Sequence, residues 1–277
     1  MDAIITLTTD FGLTDGYVAA MKGVILTVNP AANIIDICHS IKPQDIAQAA
    51  FILSTACQFF PPKTIHLVVV DPGVGTKRRA IILRTPSADF VAPDNGVLSY
   101  VIQQFSAKPI EGAANQQQLE PGLEAVAITK PCFWRSPVSP TFHGRDIFAP
   151  VAARLSLGYS PIDFGETVTS LTILPLPRPY QAEDGSLVGH ILHIDNFGNL
   201  ITNIRRENLP PIKQAITIKV GNQLIRGLSR TYGEGKGLLT LLGSSGYLEV
   251  SLAGGSASVL LDMKVGNEVR INVEPKR

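Results

Sequence analysis

The hydrophobic pattern of the first part of the chain alternates between two periods. Short runs of consecutive apolar residues, typical of buried strands, alternate with stretches in which apolar residues recur every three or four positions, typical of helices. The strand-like runs cover residues 4–8, 34–38, 65–70, 80–83 and 125–128. Between these runs, apolar residues recur at helical spacing around Met21 and around Leu53. This alternation predicts an α/β domain with a mostly parallel sheet and helices on both faces.

The pattern changes near residue 172. Proline stands at every second position from Pro175 to Pro179, which is typical of an extended, semi-rigid connector. Short apolar runs follow, separated by turn signals such as Gly221-Asn222 and Ser245-Gly246. We therefore predict three parts: an α/β domain (residues 1–172), a proline-rich linker (173–186) and a C-terminal antiparallel β-barrel domain (187–277).

Composition and charge narrow the classes of function. The 277 residues carry a formal net charge of +1, so no strong field attracts nucleic acid or a membrane surface. No apolar run approaches the roughly 20 residues of a membrane span, and no leader segment is apparent. We therefore expect a cytoplasmic protein. The three cysteines are widely spaced, which predicts free thiols, and the His and Cys spacing predicts no metal site.

Candidate chemistry follows directly after predicted strands. Asp71 ends a β-branched run and is followed by a Pro-Gly turn and by Arg78 and Arg79, while Asp10 follows the first strand. Ligands of open α/β sheets bind at the carboxyl ends of strands. Asp71 also suits a simple turn-capping role, and one of the two arginines also suits a solvated surface, so these alternatives stay open. Asp10 suits the hydroxyl groups of a ribose.

A second polar segment, from Phe142 to Asp146, precedes a helix-like stretch. Gly144 beside His143 allows a substrate to approach the backbone. In the alternative interpretation Asp146 caps the helix and His143 is incidental. We also expect Asp15 to be the N-cap of the first helix. The glycines form neither a GxGxxG motif nor a Walker A loop, which argues against a dinucleotide or triphosphate ligand.

Two polar segments remain. Residues 195–199 interrupt a strand pattern, and a hairpin turn accounts for Asn196 and Gly198. Asp195 and Asn199 offer a carboxylate and an amide, which suit the ammonium and carboxylate groups of an amino acid. Residues 116–118 are three glutamines and are expected to form a solvated loop.

Together these motifs resemble the S-adenosyl-L-methionine (SAM) hydroxide adenosyltransferase family, relatives of fluorinase and chlorinase. The resemblance covers nearly the whole chain and is carried by VVVDPGVGTKRRAI, TFHGRDIFAP and IDNFGNLITNI. It implies the same two-domain fold. It also implies that the family's polar triad of Asp, Arg and His falls on Asp71, Arg78 and His143.

The resemblance assigns the substrate-binding residues as well. Ribose would bind Asp10, and Phe142 or Tyr232 would pack on apolar parts of the ligand. The methionine part would bind the loop that contains Asp195, Phe197 and Asn199, with Ser244 nearby. Family members are trimers or pairs of trimers, with the site between one subunit's first domain and its neighbour's second. No cofactor is expected, because SAM is the substrate.

The resemblance also bears on the nucleophile. Fluorinase carries a serine where this chain has Gly144, and the halogenases lack the equivalent of Asp71, so this chain is similar to the water-using branch. The implied reaction is hydrolysis of SAM to adenosine and L-methionine by in-line attack of water or hydroxide on C5′. Two alternatives stay open: a SAM-dependent halide adenosyltransferase and a non-catalytic SAM- or adenosine-binding protein.

Overall fold

Two units make up the chain, Met1–Leu176 and Pro177–Arg277. The structure, a computed structural model, describes residues 3–106, 115–211 and 215–273. The first unit begins with alternating strands and helices. Its elements are β1 (Ile4–Thr9), α1 (Tyr17–Val28), β2 (Asn33–Cys38), α2 (Ile46–Cys57), β3 (Thr64–Val69), β4 (Ala80–Arg84), β5 (Ala88–Pro93), α3 (Ser99–Gln103), β6 (Asn115–Gln118), β7 (Glu124–Ile128), α4 (Ala149–Ser156), β8 (Gly165–Val168) and β9 (Ser170–Ile173).

The central sheet of this unit is mixed. Its strand order is β2-β1-β3-β5-β4-β7-β8. The pairs from β2 to β5 are parallel, and the pairs from β5 to β8 are antiparallel. The α/β class is confirmed. The parallel part ends where β4 and β5 are joined by a short turn, because a parallel crossover needs a longer connection.

Helices cover both faces of this sheet, as predicted. Successive side chains of a strand point to opposite faces, and every residue of β3 is buried. Ile65 and Leu67 belong to one core cluster with residues of α1 and α4. Val68 and Val70 belong to a second cluster with residues of α2 and α3. A strand covered on both sides needs no polar alternation, which explains its continuous apolar run.

Two local predictions in this unit are wrong. Residues 116–118 are not a solvated loop but belong to β6, which pairs with β9. Pairing with a neighbouring strand offsets the low strand propensity of glutamine. Asp15 does not cap α1, because Gly16 occupies the N-cap position and no side chain makes a capping hydrogen bond.

The second unit is an antiparallel, nearly closed barrel, as predicted. The strands occur in the order β14-β13-β17-β11-β12-β16-β15, with β10 beside β11. The carbonyl of Thr240 accepts a 2.7 Å hydrogen bond from the Ser229 amide, and the Thr240 hydroxyl donates to the Gly227 carbonyl at 2.6 Å. These two contacts bring the outer strands β14 and β15 together. The elements are β10 (Tyr180–Gln181), β11 (Leu187–Ile194), β12 (Leu200–Arg205), β13 (Ile216–Val220), β14 (Gln223–Arg226), β15 (Leu238–Leu242), β16 (Tyr247–Leu252), α5 (Ala257–Leu261) and β17 (Glu268–Val273).

In the part of the chain that the structure describes, no helix is both long enough and apolar enough to cross a bilayer. The proline-rich segment has no regular secondary structure from residue 174 to residue 179. Cys38, Cys57 and Cys132 are free thiols.

His66 is a buried structural histidine that makes the free energy of unfolding depend on pH. It is 1 % exposed, its Nδ1 shares a 2.8 Å hydrogen bond with the Thr6 hydroxyl, and its ring stacks on Phe90. Burial lowers the pKa of His66 to about 4. The folded ring therefore stays neutral at pH values where the unfolded chain, with a pKa of about 6.5, already binds a proton.

The free energy of unfolding should therefore fall as the pH drops from about 6.5 towards 4, by about 2 kcal/mol between pH 6.5 and 5. Urea unfolding at both pH values measures this loss. A His66→Gln variant, which retains a hydrogen-bonding side chain but does not titrate, should lose less stability over the same window. An equal loss in both proteins would contradict the assignment to His66.

Candidate active site

The carboxyl ends of β1 and β3 lie side by side, because Thr9 pairs with Val69. The residues that follow these strands therefore leave the sheet at the same edge. A pocket of about 380 Å³ opens there. Its lining includes Asp10, Tyr17, Asp71, Phe142, His143 and Gly144. This edge collects five of the residues predicted from the sequence.

The turn after β3 is shaped by Gly75. It has a φ of +77°, and a methyl group there would lie 2.7 Å from the carbonyl oxygen of Pro140. Glycine is therefore required both for the backbone conformation and for the close approach. The contact brings the turn against the segment that leads to His143.

Arg78 joins the three predicted triad residues. Its Nε lies 2.9 Å from both carboxylate oxygens of Asp71, and its Nη2 also donates to that carboxylate. The same Nη2 lies 2.9 Å from Nδ1 of His143. The side chains of Arg78 and Asp71 are only 11 % and 5 % exposed. Asp71, Arg78 and His143 thus form one cluster, with the guanidinium at its centre.

The Arg78 contact determines the tautomer of His143. A guanidinium has donors and no acceptor, so Nδ1 must accept, and the hydrogen of the neutral ring is carried by Nε2. Burial, and then the Arg78 charge, lower the pKa of His143, against the smaller opposing effects of Asp71 and Asp146. His143 is therefore neutral near pH 7 and donates from Nε2.

Asp10 is held by the backbone and keeps one oxygen available. Its Oδ2 accepts a 2.8 Å hydrogen bond from the Gln44 amide. Among the residues that the structure describes, Oδ1 has no hydrogen-bond partner. A half-buried carboxylate with one uncommitted oxygen can accept hydrogen bonds from ligand hydroxyl groups.

A row of polar side chains that the sequence did not predict supports the strand end before Asp10. The Thr9 hydroxyl shares a 2.8 Å hydrogen bond with Nδ1 of His39, which is 5 % exposed. Nε2 of His39 lies 3.0 Å from Oδ1 of Asp36, whose Oδ2 accepts from Lys22 Nζ at 2.7 Å. The three-residue spacing of Asp36 and His39 is a weak signal, because the contact with Thr9 depends on the pairing of β1 and β2.

Aromatic rings form the apolar wall of the pocket. The ring centroids of Phe11, Tyr17 and Phe142 lie 5.3–5.8 Å apart. Gly144 lies against this wall, and a methyl group there would be 3.3 Å from Met21 Sδ and from Val69 Cγ1. A larger side chain at position 144 therefore requires its neighbours to move.

Asp146 does not cap the following helix by its side chain. A five-residue π-helix, Gly144–Phe148, starts after His143 and leads into α4. Asp146 is fully buried, and its Oδ2 accepts from the Ser139 amide at 2.8 Å while Arg145 Nε donates to Oδ1 at 2.7 Å. Burial raises the pKa of Asp146, but these hydrogen bonds outweigh it, and the net shift is downward. Asp146 holds the loop before His143 in place.

Arg79 does not line the pocket, and its side chain is partly exposed, at 34 %. Its Nε donates to Asp94 Oδ2 at 2.8 Å, and its Nη2 donates to the Ser170 carbonyl at 2.8 Å and to Gln116. Asp94 Oδ1 accepts from the Thr172 amide. Arg79 therefore ties the sheet to β6 and β9, whereas the adjacent Arg78 contacts Asp71 and His143, which line the pocket.

In the second unit, Asp195 organises its own loop. Oδ1 accepts from the amides of Phe197 and Asn199 at 2.9 Å each, and Oδ2 accepts from Asn199 Nδ2 at 2.8 Å. The Phe197 ring is 76 % exposed. Ser244 is exposed in the turn between β15 and β16. The loop therefore holds its apolar ring in solvent.

Tyr232 has a partner that the sequence did not predict. Its hydroxyl donates to Oε2 of Glu249 at 2.8 Å. Glu249 is 5 % exposed, although a glutamate in a strand pattern suggests an outward-facing side chain.

Across residues 3–106, 115–211 and 215–273, no three His, Cys, Asp or Glu side chains are grouped so that they could hold a metal ion.

Comparisons with known proteins agree on one family. The models of the SAM hydroxide adenosyltransferase N-terminal and C-terminal domains match residues 5–165 and 189–270. An (R)-S-adenosyl-L-methionine hydrolase of Salinispora arenicola is 36 % identical, over 96 % of this chain and 97 % of the relative. A fluorinase of Nocardia brasiliensis is 28 % identical, over 98 % and 97 %. The crystal structure of an uncharacterised conserved protein from Thermotoga maritima is 35 % identical, with a TM-score of 0.85 and coverage of 96 % and 99 %.

The cluster predicts how His143 titrates. NMR of ¹⁵N-labelled protein should give a pKa below 6.5 and the Nε2–H tautomer for the neutral ring. Arg78→Met removes the positive charge and leaves Asp71, so the pKa of His143 should rise. Arg84→Met, which removes an arginine paired with Asp89 instead, should leave it unchanged. If the pKa of His143 is the same in Arg78→Met as in the parent protein, the contact between Arg78 and His143 is contradicted.

Proposed function

The chain belongs to the SAM hydroxide adenosyltransferase family, and we propose that it hydrolyses SAM to adenosine and L-methionine. The observation that carries the proposal is that Arg78 joins Asp71 and His143, two residues of the pocket that Asp10 also lines. The cluster can hold one water molecule beside a ribose. The relatives named as hydrolases support water as the nucleophile.

The chemistry requires help at the nucleophile rather than at the leaving group. The oxygen of water forms a bond to C5′ while the C5′–S bond of the sulfonium breaks, and its electron pair stays on sulfur. Methionine leaves as a neutral thioether, so no acid has to protonate it. Water must lose one proton, and holding it in line with the C–S bond removes much of the entropic cost.

We assign roles by donor and acceptor capacity. His143 can donate from Nε2 to the attacking oxygen and so orient it, and the Arg78 charge favours the hydroxide form of the water once it has lost its proton. His143 cannot take the proton while Nδ1 accepts from Arg78. The Asp71 carboxylate, which lines the pocket, is the remaining acceptor, and it also orients the guanidinium. Protonation of His143 would place two cations side by side, so turnover should fall on the acidic side of its pKa.

Substrate binding is divided between the two units. We propose that Asp10 Oδ1 accepts from the ribose hydroxyls and that Phe142, with Phe11 and Tyr17, packs on apolar parts of the ligand. In the second unit, the loop of Asp195, Phe197 and Asn199, with Ser244 and Tyr232, would hold the remainder of SAM. No cofactor takes part in this proposal, because the sulfonium itself supplies the leaving group.

Two features favour water over halide. Asp71 places a carboxylate in the pocket, and a bound halide would be repelled by it. Gly144 packs against Met21 and Val69, so the hydroxyl that fluorinase offers at this position has no room without rearrangement. The hydrolase relative is also more similar to this chain than the fluorinase relative, at 36 % against 28 % identity.

The names of the relatives suggest which sulfonium epimer is the substrate. The Salinispora arenicola protein is named for the (R) epimer at sulfur. We propose the same preference here.

We also propose a cytoplasmic location, which the three unpaired thiols support because disulfides persist in oxidising compartments.

A product assay tests the activity. Incubation with SAM in ¹⁸O-water and high chloride should give adenosine labelled in its 5′-hydroxyl, faster from the (R) than from the (S) epimer. Asp71→Asn and His143→Ala should each lower turnover by about 10²–10⁴-fold, whereas Lys77→Ala, an exposed residue of the same turn, should not. Chloroadenosine would indicate a halide transferase. Tight binding without product would indicate a binding protein.

We further propose that the protein is a homotrimer or a dimer of trimers, as the family resemblance implies, with ligand-binding residues of the two units contributed by different subunits. Light scattering should then give three or six times the subunit mass of 29.7 kDa. Dilution to monomers should abolish turnover. A monomer with full activity would rule this assembly out.

A further inference from the structure

Tyr232 and Glu249 form an isolated pair in the second unit. Tyr232 lies in a short 3₁₀ turn, Tyr232–Glu234, between β14 and β15, and Glu249 lies on β16. The phenol donates to Oε2 of the carboxylate at 2.8 Å. Within the described part of the chain neither side chain makes another hydrogen bond. Each therefore depends on the other for its position.

Gly243 makes the room for the Glu249 carboxylate. A methyl group at Gly243 would overlap the carboxylate, and the φ of Gly243 lies outside the left-handed region. Space rather than backbone conformation therefore requires the glycine. Gly243 also closes the turn between β15 and β16 by donating to the Tyr247 carbonyl at 2.9 Å. The carboxylate is thus fitted into the same turn that carries Ser244.

Burying this acid costs stability unless something compensates for it. Burial raises the pKa of Glu249, and the nearby charge of Asp195 adds to that shift. Burial, the hydrogen bond and the charge of Glu249 raise the pKa of Tyr232 to about 12. A leucine would fill the volume without burying a charge. The hydrogen bond from the Tyr232 hydroxyl is the contact that offsets part of this cost.

We propose that Glu249 is a positioning residue that holds the Tyr232 ring for stacking on the adenine of the ligand. The proposal rests on the proposed function. The Tyr232 ring is 50 % exposed and tethered at its hydroxyl, so it presents apolar area to a flat partner without losing further freedom. Stacking of a base on an aromatic ring contributes about 1–3 kcal/mol.

Adenosine binding, measured by calorimetry, tests this pair without turnover. Glu249→Leu and Tyr232→Phe both remove the tether and should each raise the Kd for adenosine about tenfold. Glu249→Gln keeps an acceptor for the phenol and should restore a Kd within about twofold of the parent protein. Gly243→Ala should weaken binding as Glu249→Leu does, because its methyl group displaces the carboxylate. Glu268→Gln, on the exposed face of β17, is the matched control.

A structural readout accompanies the binding data. NMR of ¹³C-labelled tyrosine, assigned with Tyr232→Phe, should show that the pKa of Tyr232 falls from about 12 towards 10 in Glu249→Gln. Unchanged adenosine binding in Glu249→Leu, or equal weakening by Gln and Leu, would overturn the proposal. Failure to form adenosine from SAM would instead overturn the proposed reaction, because the two assays are independent.

Discussion

The bidentate contact between Arg78 and Asp71 is the interaction on which the active-site geometry depends. Both side chains are largely buried, so each charge would be expensive without the other. Removing one partner of such a buried pair costs about 3–5 kcal/mol. The pair closes the turn between β3 and β4. The guanidinium also donates a hydrogen bond to Nδ1 of His143. The same bond thus joins the sheet to the segment before α4 and fixes the tautomer of the histidine.

Carboxylates that accept backbone amides hold loops in each of the two units. Asp10 accepts from Gln44, Asp146 from Ser139 and Asp195 from its own loop. Loops lack the regular hydrogen bonding of strands and helices, so a fixed acceptor replaces it. Ligand-binding groups therefore lie on irregular segments that are nevertheless well positioned.

The two units divide the chemistry by charge. In the first unit the guanidinium of Arg78 places a positive charge beside Asp71 and His143, where by our proposal it favours loss of a proton from a bound water. In the second unit Asp195 and Glu249 place acidic groups near Tyr232. SAM itself carries a positive sulfonium and an ammonium group. By our proposal, the acidic groups of the second unit suit the positive sulfonium and ammonium groups of this substrate.

The sequence by itself determined most strand and helix positions and the α/β and barrel classes, because apolar periodicity and turn residues are local signals. The grouping of Asp71, Arg78 and His143 was implied by the family resemblance of the motifs that contain them. The sequence did not determine the antiparallel half of the first sheet, the burial of Glu249 or the contact of His39 with Thr9. It also left open which of two adjacent arginines contacts Asp71 and His143. Those features depend on contacts between residues far apart in the chain, and only the tertiary structure decides them. Arg79 meets Asp94 and β9, while Arg78 meets Asp71 and His143, since successive side chains at a strand start point to opposite faces.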